Sequence, residues 1–177
     1  MLIERDLQLG DLGQLALIDR KELIEQFYRV QAGRLELYDE YCAMSGWPEG
    51  EAEQDAVILR RCFEQGAWFH GVFAGPTLVA AAVLGCEPIH NDGRRLLQLK
   101  FLHVSHDYRG AGLASRLFAK ATDQARRQGV DALYVSATPS RNTVEFYQRR
   151  GCRLLERPDP GLYALEPDDI HLYCELH

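Results

Sequence analysis

The 177-residue sequence predicts an α/β fold in which helices flank a mixed β-sheet. Three observations favour this class. Apolar runs of strand length recur along the chain, a strand, a glycine turn and a helix follow one another over residues 96–125, and a second strand–helix pair occupies residues 131–150. Without repeats or low-complexity tracts, residues 1–177 are predicted to form one domain, long enough to bury a substantial core.

The N-terminal part of the chain has the weakest patterns. Residues 2–5 predict a short strand, and Asp11 is the expected N-cap of a helix that extends toward residue 23. Residues 19–48 mix aromatic and acidic side chains with weak periodicity, so that strand and loop both remain open. Within them, Gln31-Ala-Gly-Arg34 indicates a turn between two alternating segments.

The rest of the chain has clearer periodicity, and glycines follow two of its predicted helices, where glycine commonly ends a helix. We predict helices over residues 49–65, 113–128 and 140–150. We predict strands over residues 68–73 and 78–84, which form a hairpin, and over residues 96–104, 131–136, 152–156 and 170–176.

Charge is distributed unevenly around a net charge of −6. Residues 1–60 hold 13 acidic and six basic side chains, residues 105–153 hold four acidic and nine basic ones, and residues 154–177 hold six acidic and one basic. A basic middle suits an anionic ligand, whereas the acidic ends suit a cationic partner. Nucleic-acid binding through bulk charge is disfavoured.

The sequence lacks the usual marks of secretion and of membrane insertion. Its first residues contain no apolar block typical of a signal peptide, and its longest apolar run, residues 78–84, is far shorter than the roughly 20 residues that span a bilayer. The five cysteines are odd in number and not closely paired, which favours a reducing compartment, and none has Cys-x-x-Cys metal spacing. We therefore expect a cytoplasmic protein without a metal or a membrane partner.

The central feature is Tyr108-Arg-Gly-Ala-Gly-Leu-Ala114, which links a strand to a helix. Gly110 and Gly112 permit unusual backbone dihedrals and close approach of a ligand. The first N–H groups of a helix have no internal partners and lie at the positive end of its dipole. This combination predicts a binding site for a phosphate group.

Two other kinds of phosphate site do not fit this segment. In a dinucleotide-binding turn an acidic residue should end the next strand, but Asp131 comes before the apolar residues of that strand, 132–137. The third glycine position of that motif is Ser115. A Walker-type loop needs a Lys-Ser/Thr pair, which is absent.

A second motif lies at a suitable distance downstream. The segments Arg109-Gly-Ala-Gly-Leu-Ala114 and Asn142-Thr-Val-Glu-Phe-Tyr147, the latter followed by Gly151, together resemble the two signature motifs of the GNAT N-acetyltransferase superfamily. The resemblance is carried by about residues 66–157. It implies a mixed, mostly antiparallel sheet of six to seven strands with about four helices, in which the strands ending at Val104 and Ala137 splay apart around acetyl-CoA.

The resemblance also implies roles for particular residues. Backbone amides of the turn, from Arg109 through Gly110, Ala111, Gly112 and Leu113 to Ala114, would hold the pyrophosphate of acetyl-CoA. Leu102, His103 and Val104 would pair their backbone with the pantetheine arm, as an added strand does. Asn142 would contact the same arm. Tyr147 would bind there too and protonate the leaving thiolate.

The general base is not identified by the sequence. Attack on a thioester requires a neutral amine, so a proton acceptor is needed. Better-defined branches of the family carry Glu or His on the strand before the glycine turn, where this chain has Gln98 and Lys100. His103 lies on the opposite face by alternation, unless a bulge redirects it. The other candidates are Glu22, Glu25, Tyr28, His171, predicted to be a strand-surface residue, and ordered water.

The acceptor is expected to be a primary amine on a small cationic molecule. Carboxylates and aromatic rings, which suit a cation, are concentrated in the early part of the chain, at Glu22, Glu25, Tyr28, Tyr38, Asp39, Tyr41 and Trp47. Acetylation of protein or peptide N-termini and non-catalytic binding of acyl-CoA remain alternatives. A monomer and a homodimer are both open.

Overall fold

The computed structural model describes residues 1–176. Its strands are β1 (Leu2–Asp6), β2 (Glu22–Gln31), β3 (Arg34–Met44), β4 (Trp68–Ala74), β5 (Thr77–Leu84), β6 (Ile89–Asn91), β7 (Arg94–Val104), β8 (Ala132–Ala137), β9 (Arg153–Leu154) and β10 (Ile170–Glu175). Its α-helices are α1 (Glu51–Glu64), α2 (Leu113–Arg127), α3 (Arg141–Gln148) and α4 (Pro160–Leu165). Two 3₁₀ segments cover Leu9–Leu17 and His106–Tyr108.

The first of two compact units consists of Met1–Glu22, Met44–Cys86 and Leu99–Gln124. In it β1, β4, β5 and the second half of β7 pair antiparallel in that order. Residues 78–83 of β5 are divided between two apolar clusters, which explains why this strand is apolar from Leu78 onward. The longer 3₁₀ segment and α1 contribute to one cluster, and the start of α2 contributes to the other.

The second unit consists of Leu23–Ala43, Glu87–Gln98 and the chain from Ala125 onward. Here the first half of β7 pairs antiparallel with β6 and parallel with β8, and β8, β10 and β9 pair antiparallel. Strands β2 and β3 form a separate two-stranded sheet. Ala32 and Gly33 close that hairpin with positive φ angles of 49° and 74°, which two-residue hairpin turns favour.

Strand β7 carries a β-bulge at Lys100. Val83 and Leu84, which are neighbours on β5, pair with Phe101 and Leu99 of β7, so Lys100 is an extra residue on its strand. The extra residue shifts the alternation of side chains by one position.

The predicted fold class is confirmed, because β7–β8 is the one parallel pair among the described strands and the other pairs are antiparallel. The ladders of the two units contain eight strands rather than six to seven. The additional strand is β6, whose three residues pair with β7 across the turn at Asp92-Gly93. Four α-helices are described, which is the predicted number, although one of them lies at a position that was not predicted.

The helix predicted to begin at Asp11 is wrong in type and in extent. The chain forms a 3₁₀ segment there and has become a strand by Glu22. Asp11 lies inside the segment, where its side chain accepts a hydrogen bond of 2.7 Å from the backbone N–H of Gln8. Gly10 and Gly13 lower the α-helical propensity of this short stretch.

Two features of the C-terminal part were not predicted from the sequence. Helix α4 begins at Pro160, and the side chain of Asp159 caps it by accepting from the N–H of Leu162 at 3.1 Å. A disulfide joins Cys152 to Cys174 in the second unit, so the cysteine count gives no support to a reducing compartment. None of the helices described is long and apolar enough to cross a membrane.

Candidate functional site

The glycine turn in the first unit has the backbone that the sequence predicts. Gly110 and Gly112 both have φ of 80°, in the left-handed region that favours glycine, and α2 begins at Leu113. A Cβ added at either glycine would meet no heavy atom within 4 Å. The turn therefore faces open space, and no acidic side chain lies in the first turn of α2 to repel an anion.

The guanidinium of Arg109 is bound to backbone carbonyls rather than left for a ligand. Its Nε donates to the oxygen of Val104 at 3.0 Å, and its terminal nitrogens donate to Lys21 at 2.9 Å and to Asp19 at 3.2 Å. An anion at this turn would therefore be held by backbone N–H groups, as the sequence analysis expects.

The segment before β2 that contains Asp19 and Lys21 makes two further hydrogen bonds to the residues that precede the glycine turn. The N–H of His106 donates to the carbonyl of Asp19 at 3.0 Å, and the N–H of Asp19 donates to Oγ of Ser105 at 2.9 Å. Five hydrogen bonds thus fix the residues that connect β7 to the glycine turn, which pre-organises the turn for a ligand.

The end of β7 presents different side chains on its two faces. Leu102 and Val104 join the apolar cluster that contains Leu113 of α2. The ring of His103 lies edge-on to Trp47, with centroids 5.9 Å apart, and packs against Phe101 at 4.6 Å. Because of the bulge, His103 shares a face with Gln98. Thus the redirection that the sequence analysis left open does occur.

His103 is poorly suited to hold a proton. Burial holds the pKa of His103 well below its usual range, and the positive charges of Arg20 and Arg109 act in the same direction. Its imidazole is consequently neutral near pH 7 and only weakly basic.

Helix α3 in the second unit carries the residues of the second motif. Asn142 lies in its first turn, and Tyr147 lies near its end, largely buried and edge-on to the ring of Phe146 at 5.2 Å. Burial raises the pKa of Tyr147, opposed in part by the charge of Arg150. The phenol therefore keeps its proton at physiological pH.

A cavity of about 340 Å³ lies beside the start of α3, wholly within the second unit. The backbone of β2 runs alongside α3, because the N–H of Tyr28 donates to the carbonyl of Pro139 at 2.8 Å. The cavity is lined mainly by polar side chains from these two elements, namely Leu23, Ile24, Glu25, Gln26, Ser140, Arg141, Asn142 and Glu145.

Glu145 is the most constrained carboxylate of this lining. Its Oε1 accepts from the hydroxyl of Tyr28 at 2.9 Å and from Nε of Arg141 at 3.0 Å. The bond from Tyr28 lowers the pKa of Glu145, and Arg141 adds to the effect. Burial and this same bond raise the pKa of Tyr28. The lowered pKa makes the Glu145 carboxylate a weak base, and Tyr28 is protonated near pH 7, so neither is a ready proton acceptor.

His171 is buried and does not lie on the strand surface as predicted. Its Nε2 faces the carbonyl of Glu166 at 2.9 Å, and because a carbonyl only accepts, Nε2 carries the proton. Nδ1 then accepts from the hydroxyl of Tyr134 at 2.7 Å. Burial raises the pKa of Tyr134 to about 12. Both ring nitrogens of His171 are thus engaged in a structural network.

The structure adds residues that sequence reasoning did not single out. Glu145 and Arg141 were not named as site residues, although they are four positions apart on the helix that carries Asn142. That spacing was a usable signal, whereas their approach to β2 was not readable from the sequence. Among residues 1–176, no group of three or more His, Cys, Asp or Glu side chains is arranged to hold a metal ion.

Comparisons with known proteins bear on the family and the fold. The model of the acetyltransferase (GNAT) family matches residues 34–152, which is about two thirds of the chain. No curated protein matches the chain. Among solved structures it is similar to nourseothricin acetyltransferase, with 17% identity, 99% of each chain covered and a TM-score of 0.71.

Two further structures are similar over nearly their whole length. One is the PaiA N-acetyltransferase from Thermoplasma acidophilum in complex with coenzyme A, with 17% identity, 99% of each chain covered and a TM-score of 0.62. The other is the ribosomal-protein-S18-alanine N-acetyltransferase from Escherichia coli, with 14% identity, 99% of this chain and 94% of that chain covered and a TM-score of 0.61. At these identities the similarity establishes the fold.

Proposed function

This chain belongs to the acetyltransferase (GNAT) family, whose members use acetyl-CoA as acetyl donor, and we propose that it acetylates the primary amine of a small cationic molecule. The observation that carries the donor half of this proposal is the glycine turn. Gly110 and Gly112, both with φ of 80°, precede α2 and have no heavy atom near the position of an added Cβ. The Arg109 side chain is bound to backbone carbonyls, among them that of Val104. This backbone suits a pyrophosphate held by N–H groups.

Within the proposal, acetyl-CoA supplies the acetyl group as a thioester. The N–H groups from Arg109 to Ala114 hold its pyrophosphate, the backbone of Leu102, His103 and Val104 orients the pantetheine arm, and Asn142 contacts that arm. Holding donor and acceptor in line can supply on the order of 7–11 kcal/mol of the rate enhancement for a well-aligned pair.

Tyr147 is proposed as the proton donor. The amine attacks the carbonyl carbon directly, a C–N bond forms, the C–S bond breaks, and the phenol gives its proton to the departing sulfur. The raised pKa of Tyr147 keeps its hydroxyl protonated near pH 7, as a proton donor must be. In this proposal the proton lost by the amine passes to ordered water, one of the acceptors that the sequence leaves open, while both ring nitrogens of His171 are engaged and Tyr28 donates to Glu145.

The preference for a cationic acceptor is supported by the cavity beside α3. Its lining contributes two carboxylates, Glu25 and Glu145, against one guanidinium, that of Arg141. The excess of negative charge attracts ammonium groups and repels anions. Acetylation of a protein N-terminus is the second candidate, because the chain shares its fold with the E. coli enzyme named for the S18 alanine.

The proposal is tested by measuring CoA release with a thiol reagent, using acetyl-CoA and a panel of cationic, neutral and anionic amines, nourseothricin and a short peptide with a free N-terminal alanine. Cationic small molecules are expected to give the highest kcat/KM. Turnover only with neutral or anionic amines would exclude a cationic acceptor, and turnover only with the peptide would establish the second candidate. Tight binding of acetyl-CoA without CoA release for any acceptor would leave a non-catalytic acyl-CoA-binding protein.

A further inference from the structure

The guanidinium of Arg150 is held in one place at the end of helix α3. Its Nη1 donates to the carbonyl of Phe146 at 2.7 Å, and its Cζ lies over the Phe146 ring, 3.5 Å from the ring centre. The backbone N–H of Arg150 also donates to the carbonyl of Tyr147 at 3.0 Å. A hydrogen bond and a cation–π contact therefore fix the charge of Arg150 over one aromatic ring.

The ring of Phe146 lies between this charge and Tyr147. The two rings pack edge to face, with their centres 5.2 Å apart. These distances place the guanidinium carbon within about 9 Å of the centre of the Tyr147 ring, which is buried, so that water screens the charge weakly. Burial lowers the pKa of Arg150, but a guanidinium stays charged at physiological pH.

A cation near Tyr147 matters because the proposed proton donor becomes an anion when it acts. Burial disfavours a phenolate and raises the pKa of Tyr147, so the phenol is a weak acid, and the charge of Arg150 opposes this effect in part. A charge that is already in place stabilises the phenolate as it develops, without any rearrangement of the protein.

We propose that Arg150 is a positioning residue that stabilises the phenolate of Tyr147 while the CoA thiolate is protonated. The inference rests on the proposed function. In this step the O–H bond of Tyr147 breaks, an S–H bond forms on the departing CoA, and the phenolate remains near the guanidinium. After the products leave, the phenolate takes a proton from solvent, which has received the proton that the acceptor amine lost.

The position of Arg150 also suits the stabilisation of a helix end. It binds one of the last carbonyls of α3, where a cation interacts favourably with the helix dipole. Arg149 is the matched control, because it is the exposed C-cap of the same helix and carries the same charge. An effect on the helix dipole alone would be shared by both arginines, whereas an effect on Tyr147 would belong to Arg150.

The ionisation of residue 147 can be measured without turnover. Tyr147→difluorotyrosine, introduced by amber suppression, gives a more acidic phenol whose ionisation is followed by fluorine NMR. Arg150→Gln removes the charge but can still donate to the carbonyl of Phe146. We expect it to raise the pKa of the fluorinated phenol by about 1, whereas Arg150→Lys and Arg149→Gln should change that pKa by less than about 0.3.

The kinetics of CoA release, with tyrosine at position 147, are the second readout. Arg150→Gln is expected to lower kcat about threefold to tenfold, because the phenolate is only partly formed in the transition state, with little change in the Kd for acetyl-CoA. Arg150→Lys should restore most of this loss, and Arg149→Gln should keep the unsubstituted kcat. Thermal unfolding checks that each variant is folded, and Arg150→Met serves as the neutral variant if Arg150→Gln is not.

The outcomes separate this inference from the proposed function. The same pKa of the fluorinated phenol with Arg150 and with the neutral variant would overturn the inference, even if the enzyme acetylates amines. An equal loss of kcat in Arg150→Lys and Arg150→Gln would also overturn it, because the loss would then follow packing and not charge. If the pKa rises as expected but no acceptor releases CoA, the effect of Arg150 on Tyr147 stands and the proposed function fails.

Discussion

Burial has opposite consequences for the two kinds of acid–base residue in this protein. Burial keeps the phenol of Tyr147 protonated, which suits a proton donor, and it keeps the imidazole of His103 neutral with a low pKa, which makes it a weak acceptor. His171 is occupied in another way, because both of its ring nitrogens are hydrogen-bonded within the fold. The residues most like general bases by type are therefore the least able to act as one.

Replacing Tyr147 by phenylalanine tests its role as proton donor. We expect kcat to fall about 100-fold, within the range for loss of one general acid, because the thiolate must then leave unprotonated. The Kd for acetyl-CoA, measured by calorimetry, should change little, since the ring still fills its buried position. Tyr163→Phe is the control, because Tyr163 is a half-exposed tyrosine of the same unit. An unchanged kcat for Tyr147→Phe would show that Tyr147 is a core residue and not the proton donor.

At the scale of elements, the local sequence was sufficient to predict the glycine turn but not strand β2. The turn requires glycine for its φ angles and not for space, since a Cβ would meet nothing there. The pattern Gly-Ala-Gly was therefore sufficient to predict the turn. In β2, by contrast, Leu23 is 66% exposed and its neighbour Ile24 is 4% exposed, among polar residues on both faces. Periodicity could not settle that strand.

Substitutions at Gly112 distinguish backbone conformation from close approach of the ligand. Alanine at φ of 80° is disfavoured by about 1–2 kcal/mol, so Gly112→Ala should raise the Kd for acetyl-CoA roughly tenfold as the turn relaxes. Asparagine tolerates this region better, so Gly112→Asn should raise the Kd less, about threefold. Calorimetry with acetyl-CoA measures both.

The control for this series is Gly13→Ala, since Gly13 is exposed, has no positive φ and would meet no atom with an added Cβ. If asparagine impairs binding more than alanine does, side-chain volume near the phosphate is the limiting factor, and the conformational explanation fails.

The sequence predicts those features that residues close together in the chain determine, and it does not predict those that arise from pairing between distant segments. Helix α3, with its Asn142 and Tyr147, follows from helical spacing between Ser140 and Gly151, and the predicted bounds differ from the observed ones by one or two residues. The bulge at Lys100 has no local signature, because it arises from the pairing of β7 with β5. The cavity likewise depends on the pairing of Tyr28 with Pro139, which are distant in sequence.

At the scale of the whole molecule, the chain enters each compact unit three times. Strand β7 contributes residues up to Gln98 to the second unit and residues from Leu99 to the first, and α2 is divided between Gln124 and Ala125. Neither unit can be obtained as one continuous fragment. We therefore propose that the 177 residues form one domain and unfold in a single cooperative transition.

Reduction of the Cys152–Cys174 disulfide tests whether the protein unfolds cooperatively and how much the disulfide stabilises it. The disulfide joins residues 22 positions apart in sequence, for which chain entropy predicts a stabilisation of about 3 kcal/mol. Reduction should lower the Tm by about 6–12 °C for a chain of this size without splitting the transition, as measured by calorimetry with and without a phosphine reductant.

The double variant Cys152→Ala, Cys174→Ala should have the lower Tm in both conditions. Cys86→Ala should respond to the reductant like the unsubstituted protein, because Cys86 is a free thiol. Two separate transitions after reduction would show that the second unit unfolds alone, and an unchanged Tm would mean that the disulfide does not stabilise the fold.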